Sequence, residues 1–354
     1  MNILQQIKTS LHHNLPFVVY KKANENIISA FLQHSDQLFT TKDYAESGFV
    51  FAPFNSNEPS VLIPRKESEF LQEEIDFSVA IGEKKNYSLE DTSKEDTSKQ
   101  NHVDLVKRGI NEINKGTFKK VVLSRKEEIV LHQMDVIEIF KKLVNVYPKA
   151  FVYLWFHPKV GLWLGATPET LVKISENEFE TMSLAGTQVD KGEENVLWGA
   201  KELEEQQMVT DYLLEKLQPI CKTVEANEVE TVKAGSLLHL KTIVKGVFSK
   251  DKSELIKTLH PTPAVCGYPK EEAQNFILNN ENYSREFYTG FLGELNFKRE
   301  EEVKFSNLFV NLRCMQIQQN IAQIYIGGGI TKDSIPEKEW EETKAKSLTM
   351  KNVL

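Results

Sequence analysis

Short apolar runs separated by polar residues mark the first eighty positions of the chain. Their spacing predicts a leading amphipathic helix, a strand at 17–20, a helix at 26–33, and further strands at 48–53 and 60–63. Residues 83–101 break this pattern, because they are almost entirely polar and contain the near-repeat Glu-Asp-Thr-Ser-Lys. Such a segment has too little apolar surface to join a core, so we predict a mobile surface linker there.

Helical and strand patterns alternate from this segment to the C-terminus. Predicted helices cover 102–115, 135–147, 194–217, 253–259, 270–279 and 336–353. Predicted strands cover 118–131, 150–156, 162–165, 171–174, 179–184, 239–247, 284–295, 308–316 and 321–326. This mixture of neighbouring strands and interspersed helices favours an α+β fold.

The stretch 165–188 predicts a β-hairpin with a chemical group at its base. A turn at Pro168 leaves Glu169 at a chain reversal, and a polar turn at 175–178 separates the two strands. The stretch closes in a small-residue turn at 185–187, where a backbone can approach a ligand closely. The pattern alone allows either scaffolding or the wall of a site, since single glutamates in turns are usually solvated.

Composition narrows the class of protein. The chain has 354 residues, enough for one large domain or two ordinary ones, with 40% hydrophobic and 27% charged residues. A net charge of -8 argues against general nucleic-acid binding. The three cysteines form no CxxC pair, and neither a signal peptide nor a run of about 18 apolar residues is present. We therefore expect a cytoplasmic protein with reduced thiols, without nucleic-acid or membrane partners.

Lys120 is an unusual residue, because it enters the apolar strand predicted at 118–131. One interpretation is that its ammonium group reaches solvent from the end of the strand. The other is a desolvated lysine inside a cavity, which could take a proton and act as a base.

Two predicted helices each carry a pair of glutamates three residues apart. Glu202 and Glu205 share one helix face, and Glu339 and Glu342 share another. Four converging carboxylates would require a cation, and oxygen-only ligands point to a hard one such as Mg²⁺. Two solvated helix faces are the alternative.

Several motifs in a fixed order resemble those of the chorismate-utilising enzymes, and among these the isochorismate synthases. The motifs lie at 120–125, 165–169, 184–187, 201–211, 260–265, 313–314, 327–330 and 339–343, with Lys346. They span the region from about residue 102 to the C-terminus, whereas 1–80 resembles the family only weakly. We accordingly predict a variable N-terminal portion at 1–101 and a catalytic region at 102–354, within one integrated domain.

The resemblance implies an α+β fold in which an antiparallel β-sandwich is flanked by helices around a deep central cleft. It implies a small-molecule substrate, chorismate, a Mg²⁺ cofactor and a monomeric protein. The implied reaction is an isomerisation that moves a hydroxyl group from C4 to C2 of the substrate ring. Lys120 then matches the lysine that activates water, and Glu169 matches the general acid that protonates the leaving hydroxyl.

The resemblance also assigns the remaining candidate residues. Glu205 and Glu342 match the metal ligands, with Glu202 and Glu339 as carboxylates that hold metal-bound waters. Arg313 would clasp a substrate carboxylate. The other implied substrate contacts are Gly186, Thr187, His239, Gly328 and Gly329.

The choice among related activities depends on single residues. Ala185 stands where aminodeoxychorismate synthases carry a lysine, and Lys120 favours water over the ammonia that anthranilate synthases use. Salicylate synthase, which goes on to eliminate pyruvate, stays an alternative, as does a homologue without turnover. The product could feed menaquinone, siderophore or salicylate synthesis. Gln206 and Cys266 depart from the histidine and glycine common in the family.

Overall fold

The structure, a computed structural model, describes residues 2–75, 92–132, 134–190, 192, 196–234, 237–249, 251–298 and 303–354. Within these ranges the chain forms seven α-helices and nineteen strands. The helices are α1 Ile3–His12, α2 Thr92–Asn114, α3 Val136–Val146, α4 Ala200–Leu217, α5 Lys252–Leu259, α6 Lys270–Asn280 and α7 Pro336–Lys351.

The strands fall into a first half that precedes α4 and a second half that follows it. The first half contains β1 Phe17–Lys21, β2 Ile27–Gln33, β3 Phe39–Thr41, β4 Gly48–Ala52, β5 Ser60–Pro64, β6 Ser68–Glu74, β7 Lys120–Val130, β8 Phe151–His157, β9 Gly161–Thr167, β10 Thr170–Ser175 and β11 Glu178–Val189. The second half contains β12 Cys221–Ala226, β13 Glu230–Ala234, β14 Leu237–Phe248, β15 Gly267–Tyr268, β16 Phe291–Phe297, β17 Phe305–Val310, β18 Cys314–Gln318 and β19 Ile321–Ile330.

These strands form two antiparallel sheets. The first sheet has the order β15-β7-β19-β18-β9-β8-β1-β2-β6. The second has the order β12-β14-β11-β10-β17-β16-β4-β5-β3, with β13 also paired to β14. Strands β1 to β6 enter both sheets, so the N-terminal portion is built into the same sandwich as the rest of the chain.

An aromatic core holds the two sheets together. Phe151 of the first sheet stacks on Phe309 of the second with ring centroids 4.1 Å apart. Trp155 and Phe51 meet edge to face at 5.0 Å, again across the two sheets. Rings of this size bury large apolar areas and favour such offset and T-shaped contacts, which fix the spacing between the sheets.

The helices cover the outer faces of the sandwich. Helices α1 and α3, with the end of α7, pack on the first sheet, whereas α4 and α5 pack on the second. The α+β sandwich predicted from the sequence is therefore confirmed. No helix within the described ranges is both long and apolar enough to span a membrane.

The helix predicted at 26–33 is wrong, because these residues form strand β2. It pairs with β1 on one side and β6 on the other, and only its first residue is exposed. A run that is buried on both faces of a sheet has no alternation, so its pattern does not distinguish strand from helix.

Four other predicted boundaries need correction. The strand predicted at 284–295 begins only at Phe291. Residues 92–101 of the predicted linker belong to helix α2, while 83–91 lie outside the described residues. The helix predicted from 194 begins only at Ala200, and 193–195 also lie outside the description. The single strand predicted at 308–316 is two strands, β17 and β18, which belong to different sheets.

Candidate active site

A cleft opens where the ends of β7, β11 and β19 meet helices α4 and α7. Ten of the twelve predicted site residues line it: Glu169, Gly186, Thr187, Glu202, Glu205, His239, Arg313, Gly328, Gly329 and Glu342. The other two, Lys120 and Glu339, lie directly behind this lining and contact it through their ion pairs and neighbours. Residues spread over more than two hundred positions are thus brought to one place by the fold.

Lys120 is the first residue of β7 and is completely buried. Its Nζ lies 2.7 Å from Glu205 Oε1, so it has an ion-pair partner, but it makes no aligned hydrogen bond with any described residue. The interpretation in which Lys120 reaches solvent is therefore wrong. The structure places a buried amine beside the cleft, which is the arrangement that the second interpretation requires.

Glu169 lies in the two-residue link between β9 and β10 and is only 3% exposed. Burial raises its pKa to about 8, although the positive charges of Lys120 and Arg313 oppose the rise. One carboxyl oxygen, Oε1, has no hydrogen-bond partner in the described part of the chain. At neutral pH this side chain is a protonated acid whose oxygen is free to meet a ligand.

Gly186 forms a bulge in β11 and not the turn that the sequence pattern predicts. The register against β14 shifts between Ala185 and Thr187, and the φ angle of Gly186 is +74°. A Cβ at this position would lie 3.0 Å from the backbone oxygen of Glu202. Glycine is required by both conditions, and the bulge lets the start of α4 approach the sheet.

His239 stands opposite Thr187 in the β11–β14 ladder. Its Nδ1 is 3.2 Å from the carbonyl oxygen of Gly186, which can only accept, so Nδ1 carries the proton. Burial, with the charges of Arg313 and Lys346, lowers the pKa of His239 to about 3. The ring is neutral, and its buried Nε2, without a partner in the described ranges, is an acceptor.

Arg313 occupies the three-residue crossover between β17 in the second sheet and β18 in the first. Its φ angle of +47° is rare for a residue with a side chain and turns the chain sharply from one sheet to the other. Its Nη1 is buried without a hydrogen-bond partner among described residues, and burial lowers the pKa of the guanidinium. Such a buried, unpaired donor fits an incoming carboxylate.

Gly328 and Gly329 lie on a free edge of β19. The pairing of β19 with β18 ends at Tyr325, so among the described strands the following residues have a neighbour only on the β7 side. A Cβ on Gly329 would lie 2.4 Å from Glu205 Oε1, and one on Gly328 would lie 3.6 Å from Glu342 Oε1. The glycines therefore make room for the carboxylates of α4 and α7 as well as for a ligand.

Three of the four predicted metal-site glutamates face a lysine. Distances between Nζ and Oε1 are 2.7 Å for Lys120–Glu205, 3.0 Å for Lys201–Glu339 and 2.5 Å for Lys346–Glu342.

Burial and neighbouring charges shift the pKa values of Glu339 and Glu342 in opposite directions. Burial and the nearby charge of Glu342 raise the pKa of Glu339. Burial would also raise the pKa of Glu342, but Lys346 and other cations hold it below its usual value.

The same carboxylates fit a hard cation by their chemistry. All four are oxygen donors, and the buried Oε2 of Glu339 has no partner in the described part of the chain. In their present positions, however, no three acidic or other ligating side chains of the described residues converge on one point. A cation would have to draw Glu205 and Glu342 away from their lysines.

Some residues of the cleft carried no signal in the sequence pattern. Lys201 and Lys346 lie within the family-like motifs, but spacing gives them no role. Tyr288 and Thr289 also line the cleft, and the ring of Tyr288 stacks on Tyr325 at 5.5 Å. A single tyrosine next to a glycine-rich strand resembles an ordinary core residue, so only the fold could reveal it.

The two departures from the family motifs lie away from the carboxylates. Gln206 is buried and donates to Thr242 at 2.7 Å and to Thr210 at 3.0 Å, so it faces the second sheet. Cys266 is buried in the apolar cluster between α2, β7 and α6. Both therefore change packing and leave the predicted metal ligands untouched.

Comparisons with known proteins show what this chain is similar to. A sequence model of the family described as Chorismate binding enzyme matches residues 58–354. The isochorismate synthase DhbC of Bacillus subtilis is 31% identical over 265 residues, which are 69% of this chain and 65% of that protein. The match thus spans just under two thirds of this relative.

Two solved structures share the fold over nearly the whole chain. The menaquinone-specific isochorismate synthase MenF of Escherichia coli superposes with a TM-score of 0.81 and 19% identity, covering 100% of this chain and 91% of its own. A Bacillus anthracis protein described as a 2,3-dihydroxybenzoate-specific isochorismate synthase, DhbC, has a TM-score of 0.79 and 23% identity, covering 99% of both chains.

Proposed function

The chain belongs to the chorismate binding enzyme family, and from this premise we propose that it is a Mg²⁺-dependent isochorismate synthase. The observation that carries the proposal is the buried pair of a carboxyl group and an amine at one cleft. Glu169 has its pKa raised to about 8, and the charge of Lys120 acts on it. The reaction needs one acid and one base, and these side chains supply both types of group.

The proposed reaction balances without an external reductant or oxidant. A C2–O bond forms between the substrate ring and a water molecule, the ring double bonds shift, and the C4–O bond breaks. Lys120 acts as the base and takes a proton from the attacking water. Glu169 gives its proton to the departing C4 hydroxyl, which leaves as water, so the net result is an isomer of the substrate.

The unpaired groups of the cleft support binding of a dicarboxylate. Arg313 would hold one substrate carboxylate through the Nη1 that lacks a partner among described residues. The neutral ring of His239 would accept a hydrogen bond from a substrate hydroxyl at Nε2. Gly186, Thr187, Gly328 and Gly329 shape the surrounding wall.

We propose Glu205 and Glu342 as the residues that hold Mg²⁺, with Glu202 and Glu339 holding waters around it. When bound, the ion would grip the ring carboxylate of chorismate and offset the negative charge of the cluster. Lys201 remains beside Glu339 and limits the net negative charge of this wall.

Two observations bear on other activities within the family. Ala185 lines the cleft and is a small apolar residue, so it offers no amine nucleophile at that position. Lys120 is buried beside the cleft, which favours water as the nucleophile. Elimination of pyruvate after the isomerisation, as in a salicylate synthase, is the second candidate, because it would use the same two groups.

Product analysis tests the proposal. Purified protein would be incubated with chorismate, with and without Mg²⁺, and the products separated by chromatography with mass detection. We expect a new compound of the same mass as chorismate that forms only with Mg²⁺. Salicylate with pyruvate would favour the second candidate, and unchanged chorismate would contradict both.

A further inference from the structure

A buried ion pair lies behind part of the cleft wall. Arg285 and Glu281 have side chains only 2% and 1% exposed. The guanidinium donates to both carboxylate oxygens, from Nε to Oε2 at 2.7 Å and from Nη2 to Oε1 at 2.6 Å. Both residues lie in the segment between α6 and β16.

The other donors of Arg285 reach three separate segments. Nη2 donates to the carbonyl oxygen of Val122 on β7 at 2.7 Å. Nη1 donates to the carbonyl oxygen of Val265 at 3.1 Å and to Thr289 Oγ1 at 3.2 Å. One rigid fork therefore joins β7, the loop before β15 and the segment before β16.

The partners of this fork belong to the cleft. Val122, Val265, Thr289 and Tyr288 all line it. The guanidinium also lies 5.7 Å from the ring centroid of Tyr288. Val122 is two residues from Lys120 on the same strand, so a shift of β7 here would move the amine as well.

Glu281 extends the same network along β7. Its Oε1 accepts from both the backbone N–H and the hydroxyl of Ser124 at 2.8 Å. The ion pair thus holds β7 at two residues, Val122 and Ser124. The residue between them, Leu123, pairs with Gly328 of β19.

We propose that Arg285 is a positioning residue: through Glu281 and its fork it fixes the cleft wall formed by Val122, Val265 and Thr289, and with it the strand that carries Lys120. This inference rests on the proposed function. Arg285 does not touch the space for substrate, since it is absent from the residues that line the cleft in the described part of the chain.

A contribution to folding stability is by itself a weak explanation for the presence of such a buried ion pair. Two desolvated charges can often be replaced by apolar side chains of similar volume without loss of stability, whereas removal of one partner leaves a costly buried charge. A double replacement therefore separates positioning from folding, because it removes the fork without leaving a charge behind.

The test compares the double variant Arg285→Met/Glu281→Met with the wild type. We expect it to stay folded by circular dichroism, while kcat/KM for chorismate falls about tenfold to hundredfold, as a displaced wall implies. Arg285→Lys keeps a positive charge for Glu281 but replaces the planar fork, whose separate nitrogens bind Val122 and Val265, with a single ammonium group. The melting temperature of Arg285→Lys should therefore stay close to that of wild type, while its kcat/KM falls. This variant tests the inference even if the double variant does not fold.

A matched control is the ion pair of half-buried Lys22 with buried Glu294, whose charged atoms lie 2.7 Å apart; neither residue is among the described residues that line the cleft. Lys22→Met/Glu294→Met should change the melting temperature. At an assay temperature well below the unfolding transition, its kcat/KM should stay within about twofold of wild type. Wild-type kcat/KM in Arg285→Lys and in the folded double variant would overturn the inference.

A measurement of chorismate affinity distinguishes failure of the positioning role of Arg285 from failure of the proposed function. Calorimetry would give it for wild type and for the Arg285 variants, whatever product the wild type forms. If wild type makes no isochorismate, the proposed function fails, but weaker chorismate binding by Arg285→Lys would still support positioning. Unchanged binding in that case would contradict it.

Discussion

On the helix side of the cleft, formed by α4 and α7, each of three glutamates faces a lysine. The strand side is formed by the β9–β10 link, β14 and the β17–β18 crossover. Here three side chains each have one polar atom that is buried without a hydrogen-bond partner in the described part of the chain. Glu169 Oε1, His239 Nε2 and Arg313 Nη1 have no hydrogen bond to any described residue.

The two sides of the cleft are therefore prepared for a ligand in different ways. The helix side is nearly balanced in charge, so a cation there has to exchange with ammonium groups that are already present. Each unpaired buried group on the strand side costs about 1–3 kcal/mol, which a ligand with complementary groups recovers. We therefore expect the strand side to discriminate between substrates and the helix side to govern metal affinity.

Loss of the buried amine is the most severe way to break this arrangement. We expect Lys120→Met to lower kcat by about 10²–10⁴, because no other group takes the proton of the attacking water. Steady-state kinetics would measure it, with Lys119→Met as the control, since that neighbouring lysine is exposed. Near-normal kcat in Lys120→Met would remove the residue from the mechanism.

The strand side is tested by Glu169→Gln, which keeps the shape of the side chain and removes its acidic proton. We expect kcat to fall by about 10²–10⁴ while the melting temperature is retained or raised. The matched control is Glu178→Gln, at the exposed turn of the same hairpin. A variant with full turnover would show that another group protonates the leaving hydroxyl.

Charge neutralisation on the helix side should change metal affinity. Glu205→Gln and Glu342→Gln should each raise the Mg²⁺ concentration needed for half-maximal activity by about tenfold or more. Direct Mn²⁺ binding, followed by electron paramagnetic resonance, would check this without turnover. Glu204→Gln, an exposed neighbour on α4, is the control; equal effects at Glu204 would point to general surface charge instead.

The free energy of unfolding should depend on pH through the ionisation of Glu169. Its pKa is about 8 when folded and about 4.5 when unfolded, so the folded state binds the extra proton between these values. This contribution makes stability fall with rising pH across that window, by up to about 1.4 kcal/mol per pH unit. Denaturant unfolding at several pH values should show that Glu169→Gln removes this slope; parallel curves would contradict the assignment.

The sequence predicted much of the site because its residues lie at the ends of regular elements. The hairpin around Glu169, the strand that begins at Lys120 and the glutamate pairs of α4 and α7 all follow from local pattern and motif order. Their arrival at one cleft was implied only by the resemblance, because no local pattern encodes how two sheets stack.

The features that escaped prediction depend on tertiary structure. The pairing of Lys201 with Glu339 joins residues 138 positions apart. The crossover at Arg313 requires a positive φ in a residue that rarely adopts it, so its strand pattern continued without a visible break. Strand β2 was mistaken for a helix because the sheet buries both of its faces.

The central claim is that Glu169 is a protonated acid at neutral pH, and its titration can be measured directly. Infrared difference spectra between wild type and Glu169→Gln, recorded over a pH series, would follow the carboxyl band of this one side chain. We expect a protonated carboxyl that ionises at about pH 8. Ionisation near the ordinary value of 4.5 would contradict it, since Glu169 would then have no proton to give.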